Sequence, residues 1–215
     1  LKTLEKVDLQ DIRISGSGLF SQNDVVNNSS LKFPIRLLFI NANLLEKELK
    51  KNLSLKNVSV TRQILPFGLK VIVNTRTPIA HGERTLDDRK ILGFIDKDGI
   101  FIDKQNADKK NLKKLTIKVY GWDEKFKKIL SEIFIAQESY EFEIVKITFS
   151  PNGFLTLEEK DLNKIFLGFK PNLINYQLQI INYLKIEFKK NSFTKKIDSI
   201  DLTNPNKPKI KVFKP

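Results

Sequence analysis

The stretch from Val58 to Ala80, VSVTRQILPFGLKVIVNTRTPIA, decides the fold of the N-terminal third of this chain. Val58, Val60 and Arg62 alternate with Ser59, Thr61 and Gln63. Beyond Pro66-Phe67-Gly68, Leu69, Val71 and Val73 alternate with Lys70, Ile72 and Asn74. Apolar residues at every second position turn one face of a strand towards a core, and Pro and Gly between two such runs mark a tight turn. The stretch therefore reads as a β-hairpin. Pro78, within Arg76-Thr77-Pro78-Ile79-Ala80, has no N–H to give a ladder, so the hairpin ends and the chain redirects. No group suited to catalysis lies nearby, and the hairpin reads as a scaffold.

Upstream, Leu9 to Ser15 alternates as a short strand and is stopped by Gly16-Ser17-Gly18. Ser21 is a candidate cap for a short helix, with Asp24 in its positive first turn. Phe33 to Ile40 is an apolar connector around Pro34. Asn43 and Glu46 have the spacing of a capping box. Leu44, Leu45 and Leu49 then share one helical face, opposite Lys47, Lys50 and Lys51. The predicted order is β-α-α-β-β in about seventy residues, enough for one small domain.

Downstream, the polar stretch from His81 to Lys90 reads as a loop. Ile91 to Ile95 and Ile100 to Ile102 flank Asp96-Lys97-Asp98-Gly99, a hairpin-turn signal. Leu115 to Val119 is a short strand, and Asp123 opens a helix to about Ala136. Phe126, Ile129, Leu130, Ile133 and Phe134 form its apolar stripe. Ile144 to Phe149 and Phe154 to Leu157 pair around Ser150-Pro151-Asn152-Gly153. Lys164 to Leu167 is a strand, and Asn172 to about Lys185 a largely buried helix. Ile197 to Leu202 and Ile210 to Phe213 are the last strands, separated by Asn204-Pro205-Asn206-Lys207-Pro208. The fold class is α+β: an antiparallel sheet with two helices laid across it follows the N-terminal unit.

Composition narrows the chemistry. The 215 residues include no cysteine, so disulfides, thiolate metal sites and cysteine nucleophiles are excluded. No apolar run approaches the roughly 18 residues of a spanning helix, and the chain as given is expected to be soluble. It begins at Leu1 and contains no methionine, so its native start is expected upstream. The net charge of +13 comes mostly from dispersed lysines. Nucleic-acid binding calls for clustered Arg/Lys interleaved with exposed aromatics. Here arginine is scarce and the phenylalanines sit in apolar-periodic segments, so no nucleic-acid partner is expected. A lysine-rich solvated surface is the expectation, with attraction to cell-wall polymer or lipid headgroups as the functional counterpart.

The search for a catalytic or metal site is negative. His81 is the only histidine, beside Gly82, without a second ligand or base. Asp96 and Asp98 resemble the start of a calcium loop, but Ile100, Phe101 and Ile102 occupy positions that need oxygen ligands. Asp87-Asp88 lies among Arg84, Arg89 and Lys90 in a polar stretch. No G-K-[ST] follows Gly16-Ser17-Gly18. Trp122 reads as a core or junction aromatic. The chain is expected to be non-enzymatic, with no cofactor and no metal.

The element order and residues together resemble a POTRA domain, and the longer run resembles the bacterial division family FtsQ/DivIB. The resemblance is carried by Ile12-Arg13-Ile14-Ser15-Gly16, Asn57-Val58-Ser59-Val60-Thr61-Arg62, Leu65-Pro66 and Leu69-x-Val71-x-Val73. Arg76-x-Pro78-Ile79-Ala80, Gly93-Phe94-Ile95-Asp96-x-Asp98-Gly99-x-Phe101 and Ile200-Asp201-Leu202 continue it. Thr75 stands where the family usually has an acidic residue. The resemblance implies a POTRA domain over residues 8–76 and an FtsQ-type β-domain over 78–213. It implies a membrane anchor upstream of Leu1, with this region on the extracytoplasmic, periplasmic side of the inner membrane at the division septum. It implies a divisome scaffold that recruits bitopic partners of the FtsB and FtsL type near the final strands. Two other readings stay open: a POTRA-bearing translocation or assembly factor, and a cationic protein that binds cell-wall polymer or nucleic acid.

The last strand supplies the expected binding site. Residues 208–215 alternate lysine with apolar residues between two prolines, as a protected sheet edge does. An open edge is also where a partner's strand can add. The candidate partner-binding residues are Leu202, Thr203 and Asn204 before the turn, and Lys209, Ile210, Lys211, Val212 and Phe213 after it. Ile210, Val212 and Leu202 are expected to carry the side-chain contact.

Overall fold

The computed structural model describes residues 6–108, 112–140, 142–190 and 197–213. The chain divides into two compact units, Leu1–Thr77 with Gln105–Lys110, and Pro78–Lys104 with Asn111–Pro215. The short excursion at 105–110 has no signature in the sequence. Lys214 and Pro215, the end of the expected last strand, lie outside the described residues.

In the first unit, β1 (Lys6–Val7) pairs with β3 (Ile35–Arg36) as a small ribbon. The main sheet has β5 (Gly68–Asn74) at its centre, parallel to β2 (Ile12–Ser15) and antiparallel to β4 (Asn57–Gln63). Helices α1 (Gln22–Asn27) and α2 (Ala42–Asn52) come between β2 and β4 in the chain, giving the predicted β-α-α-β-β order. The alternation of β5 is expressed as burial: Leu69, Val71 and Val73 are buried, and Lys70, Ile72 and Asn74 exposed. They join Ile12, Leu45, Leu49 and Val60 in one core. Gly68 enters β5 at φ +131°, and a Cβ there would lie 2.1 Å from the Asp11 carbonyl oxygen, so only glycine fits.

Ser21 caps α1 as predicted and forms a capping box with Asp24. The cap of α2 is Asn41, whose side chain accepts from the Leu44 N–H at 3.1 Å, two residues before the predicted Asn43. Glu46 does not close a box; it accepts the Val60 N–H at 2.7 Å and ties the helix to β4. Leu9–Asp11 is a 3-10 turn, and the predicted first strand begins only at Ile12.

Among the described residues, the second unit is built on a nine-stranded sheet. Its strands are β6 (Pro78–Leu86), β7 (Arg89–Asp96), β8 (Phe101–Asp103), β9 (Ile117–Trp122), β10 (Ile144–Phe149) and β11 (Leu155–Glu159), then β12 (Asn163–Gly168), β13 (Ile197–Asp201) and β14 (Lys209–Val212). They lie in the order β14-β13-β12-β11-β10-β9-β6-β7-β8. Most neighbours are antiparallel, and β6–β9, β9–β10 and β12–β13 are parallel. Helix α3 (Lys127–Tyr140) links β9 to β10, and α4 (Ile174–Lys190) links β12 to β13. Parallel neighbours need such crossovers. Both helices share a core with Ile147, Leu157, Ile165 and Ile200 on one sheet face. The alternate residues Lys146, Glu158 and Lys164 are not buried.

The stretch from His81 to Lys90, expected as a loop, is instead part of the β6–β7 hairpin. Its turn is Asp87-Asp88, both at positive φ (48° and 59°), the conformation that a two-residue hairpin turn requires.

Candidate partner-binding edge

Among the described residues, β14 stands at the end of the sheet and pairs only with β13. The register sets Asp201 opposite Lys209, Ile200 opposite Ile210, Ser199 opposite Lys211 and Ile197 opposite Val212. Opposed residues on an antiparallel pair share a face. Ile210 and Val212 therefore continue the core row of Ile200 and Ile197, which are 0% and 1% exposed, yet are themselves 44% and 52% exposed. The apolar row runs past the point where the protein covers it. Lys209 and Lys211 point to the other face, and the Lys211 ammonium lies 3.6 Å from the Asp198 carboxylate. Phe213 follows, also exposed.

The chain before β14 is held firmly. The Leu202 N–H donates to the Phe166 carbonyl at 2.8 Å, prolonging the β12–β13 pairing. The buried amide of Gln177 on α4 donates to the carbonyls of both Leu167 and Leu202, each at 2.8 Å. One side chain thus closes the ends of two strands. Asp201 accepts from the Thr203 hydroxyl at 2.7 Å and the Thr203 N–H at 2.9 Å. These two bonds, helped by Lys209, hold its carboxyl below the usual carboxylate range. Asn204 turns the chain by accepting the Asn206 N–H, and Pro205 is buried.

Of the eight predicted residues, seven are exposed around this edge: Thr203, Asn204, Lys209, Ile210, Lys211, Val212 and Phe213. Leu202 is the exception. Its side chain is 0% exposed, so it packs the core and offers a partner no surface; its contribution is the carbonyl clamped by Gln177. The sequence reading found α4 but took it as largely buried and missed its exposed face. Tyr176 and Tyr183 are 47% and 63% exposed, and the Tyr176 hydroxyl reaches the Asn206 side chain at 3.4 Å, within the turn before β14. Tyr176, Ile180 and Tyr183 follow i, i+4, i+7 and share that helix face. The signal was present, but a helix rich in Leu, Ile and Tyr reads as buried all round.

The remaining candidates have structural surroundings. His81 lies within β6, with its ring centroid 5.5 Å from that of Phe94. Asp96 accepts the N–H groups of Asp98 and Ile100 and so closes its own turn. Trp122 donates to the Gly99 carbonyl at 2.8 Å and lies against Phe101, whose ring also carries the Arg84 guanidinium at 4.5 Å. Among the described residues no helix is long and apolar enough to cross a membrane.

Residues 7–76 match the family model described as the POTRA domain, FtsQ-type. No curated protein matches the chain. The match covers the β-α-α-β-β core of the first unit, including the β4–β5 hairpin. Residues 7–76, about a third of the chain, form a POTRA domain of the FtsQ type.

Proposed function

We propose that this division-related POTRA protein is a non-enzymatic scaffold, the extracytoplasmic region of a single-pass inner-membrane protein at the septum. Its second unit recruits bitopic partners of the FtsB and FtsL type by adding their strand to β14. The observation that supports this most is the uncovered row of Ile210 and Val212. It belongs to the core face of the sheet but, among the described residues, has no further strand beside it. An added strand would satisfy the open ladder and cover both residues, each side chain contributing about 1 kcal/mol from the half of its surface still exposed. The Tyr176 face of α4 would receive whatever follows that strand. Lys209 and Lys211 favour an acidic partner segment and make binding salt-sensitive.

The test is calorimetric titration of a partner-derived acidic β-strand peptide into the full chain and into a chain truncated after Pro208. The truncated chain is expected to lose binding. Equal affinity in both would place the site elsewhere, on the POTRA domain or on the helix that starts near Asp123.

A further inference from the structure

Apolar side chains stand out on two turns of the first unit. In the 3-10 turn Leu37–Phe39, Leu37 enters the core, as does Ile40 after it. Leu38 and Phe39 are left 82% and 70% exposed. The turn between β4 and β5 leaves Ile64 and Leu65 75% and 89% exposed. Arg62 joins the two turns: it sits two residues before Ile64, and its guanidinium donates to the Leu38 carbonyl at 3.4 Å. Both turns are braced from beneath. Arg13 donates to the Pro66 carbonyl at 2.6 Å and the Gln63 amide oxygen at 3.0 Å, while Leu37 and Ile40 anchor the other turn. Single exposed apolar residues are ordinary on a protein surface, but four on two adjoining, braced turns are not.

The rim of this tip is cationic. The Arg36 guanidinium lies 5.8 Å from the centre of the Phe39 ring, Arg62 touches Leu38, and Arg13 lies under the hairpin turn. Of the unit's carboxylates, Asp11, Asp24, Glu46 and Glu48 accept backbone N–H groups. Residues 6–77 hold eleven Lys or Arg against five Asp or Glu. The edge strand β4 leads into Ile64, and a hollow lies between Leu38, Phe39 and Arg62. The four exposed apolar side chains nonetheless project from turns, as interfacial anchors do, and guanidinium groups suit lipid phosphates.

We propose that this tip docks the POTRA domain on the surface of an anionic phospholipid bilayer. Leu38, Phe39, Ile64 and Leu65 enter the boundary between headgroups and acyl chains, and Arg36 and Arg62 meet the phosphates. The inference rests on the first unit alone and is independent of the β14 edge.

The chain has no cysteine, so one introduced thiol carries one probe. Leu65→Cys, labelled with an environment-sensitive fluorophore, is mixed with phosphatidylglycerol/phosphatidylethanolamine vesicles and with phosphatidylcholine vesicles. On the anionic vesicles the emission shifts to the blue and is quenched by brominated acyl chains. The same label at Asn152→Cys, in the second unit, does neither. A charge of +13 draws the chain towards anionic vesicles whatever its surface, so the deciding variant leaves the charge unchanged. Serine at Leu38, Phe39 and Ile64 together lowers vesicle affinity by at least about tenfold, with circular dichroism unaltered because these side chains are already exposed. Arg36→Gln and Arg62→Gln each lower it by about fivefold. Unchanged affinity in the triple serine variant overturns the proposal. So does a label at position 65 that stays in water on vesicles, or that is shielded only when a protein partner is added. None of these results bears on peptide binding at β14.

Discussion

Single residues show how the second unit is locked together. Lys185 on α4 is 4% exposed, and its ammonium lies 2.5 Å from a Glu159 oxygen and 3.4 Å from the Asp161 carboxylate. Glu159 also accepts the N–H groups of Glu143, Asp161 and Leu162, so the pair ties α4 to the start of β10 and to the β11–β12 turn. Lys185→Met leaves a buried carboxylate without its cation, and a loss of about 3–5 kcal/mol is expected in urea unfolding. Adding Glu159→Gln should recover part of it, because an amide strands no charge; a double variant as unstable as the single one would contradict this account. At Asp201 the sign of the pH effect follows from its depressed carboxyl. The stabilisation of the Thr203 turn is fully present above the ordinary carboxylate value of about 3.9, and is lost as pH falls through the lower folded value. An NMR titration of the Thr203 amide is expected to show its midpoint below about 3.9. A midpoint at or above that value would mean the hydroxyl bond is absent in solution. The strand that carries Asp201 was legible in the sequence; the bond that perturbs its carboxyl was not, because Thr203 is placed by the whole strand end.

Elements were legible where their burial is one-sided. The β4–β5 hairpin, the stripe of α3 and β13 all follow from local periodicity; β14 was legible by its alternation although both of its faces are exposed. The β6–β7 hairpin was not, and the reason is steric. Its inward positions include Ala80, Gly82 and Gly93, and a Cβ at Gly93 would come within 2.6 Å of the Phe101 ring. Small residues that make room for a neighbour's ring leave no apolar alternation to read. For β14 the prediction belongs to the ladder. Lys211→Pro removes one N–H and fixes φ in the middle of the strand, so β14 is expected to detach from β13. Peptide binding measured by calorimetry should then fall below detection, while hydrogen exchange in β4 and β5 stays as in the native chain. Retained binding would show that the edge ladder is not what the partner uses.

At the scale of the molecule the chain has two separate cores. Leu49→Ala, at a fully buried position of the first, is expected to cost about 2–5 kcal/mol and to weaken amide protection in β2, β4 and β5 only. An equal loss in β10 and β11 would mean that the two units unfold as one. The sequence by itself determined α1 to α4, most of the strands (though not β6), the β-α-α-β-β unit with its Ser21 cap, and the exclusion of thiol chemistry. These properties are local: a repeat of two or of 3.6 residues records which side of an element is dry. Only the tertiary structure decided that β9 lies between β6 and β10, that β13 lies beside β12, and that β14 is left at the end. Those pairings join residues as far apart as Arg84 and Trp122, and no local pattern encodes them. The same holds within the site. Leu202 and Ile210 are alike as apolar residues, yet one is 0% and the other 44% exposed. Exposure is set by how many neighbours flank a strand, and that number exists only once the sheet is assembled.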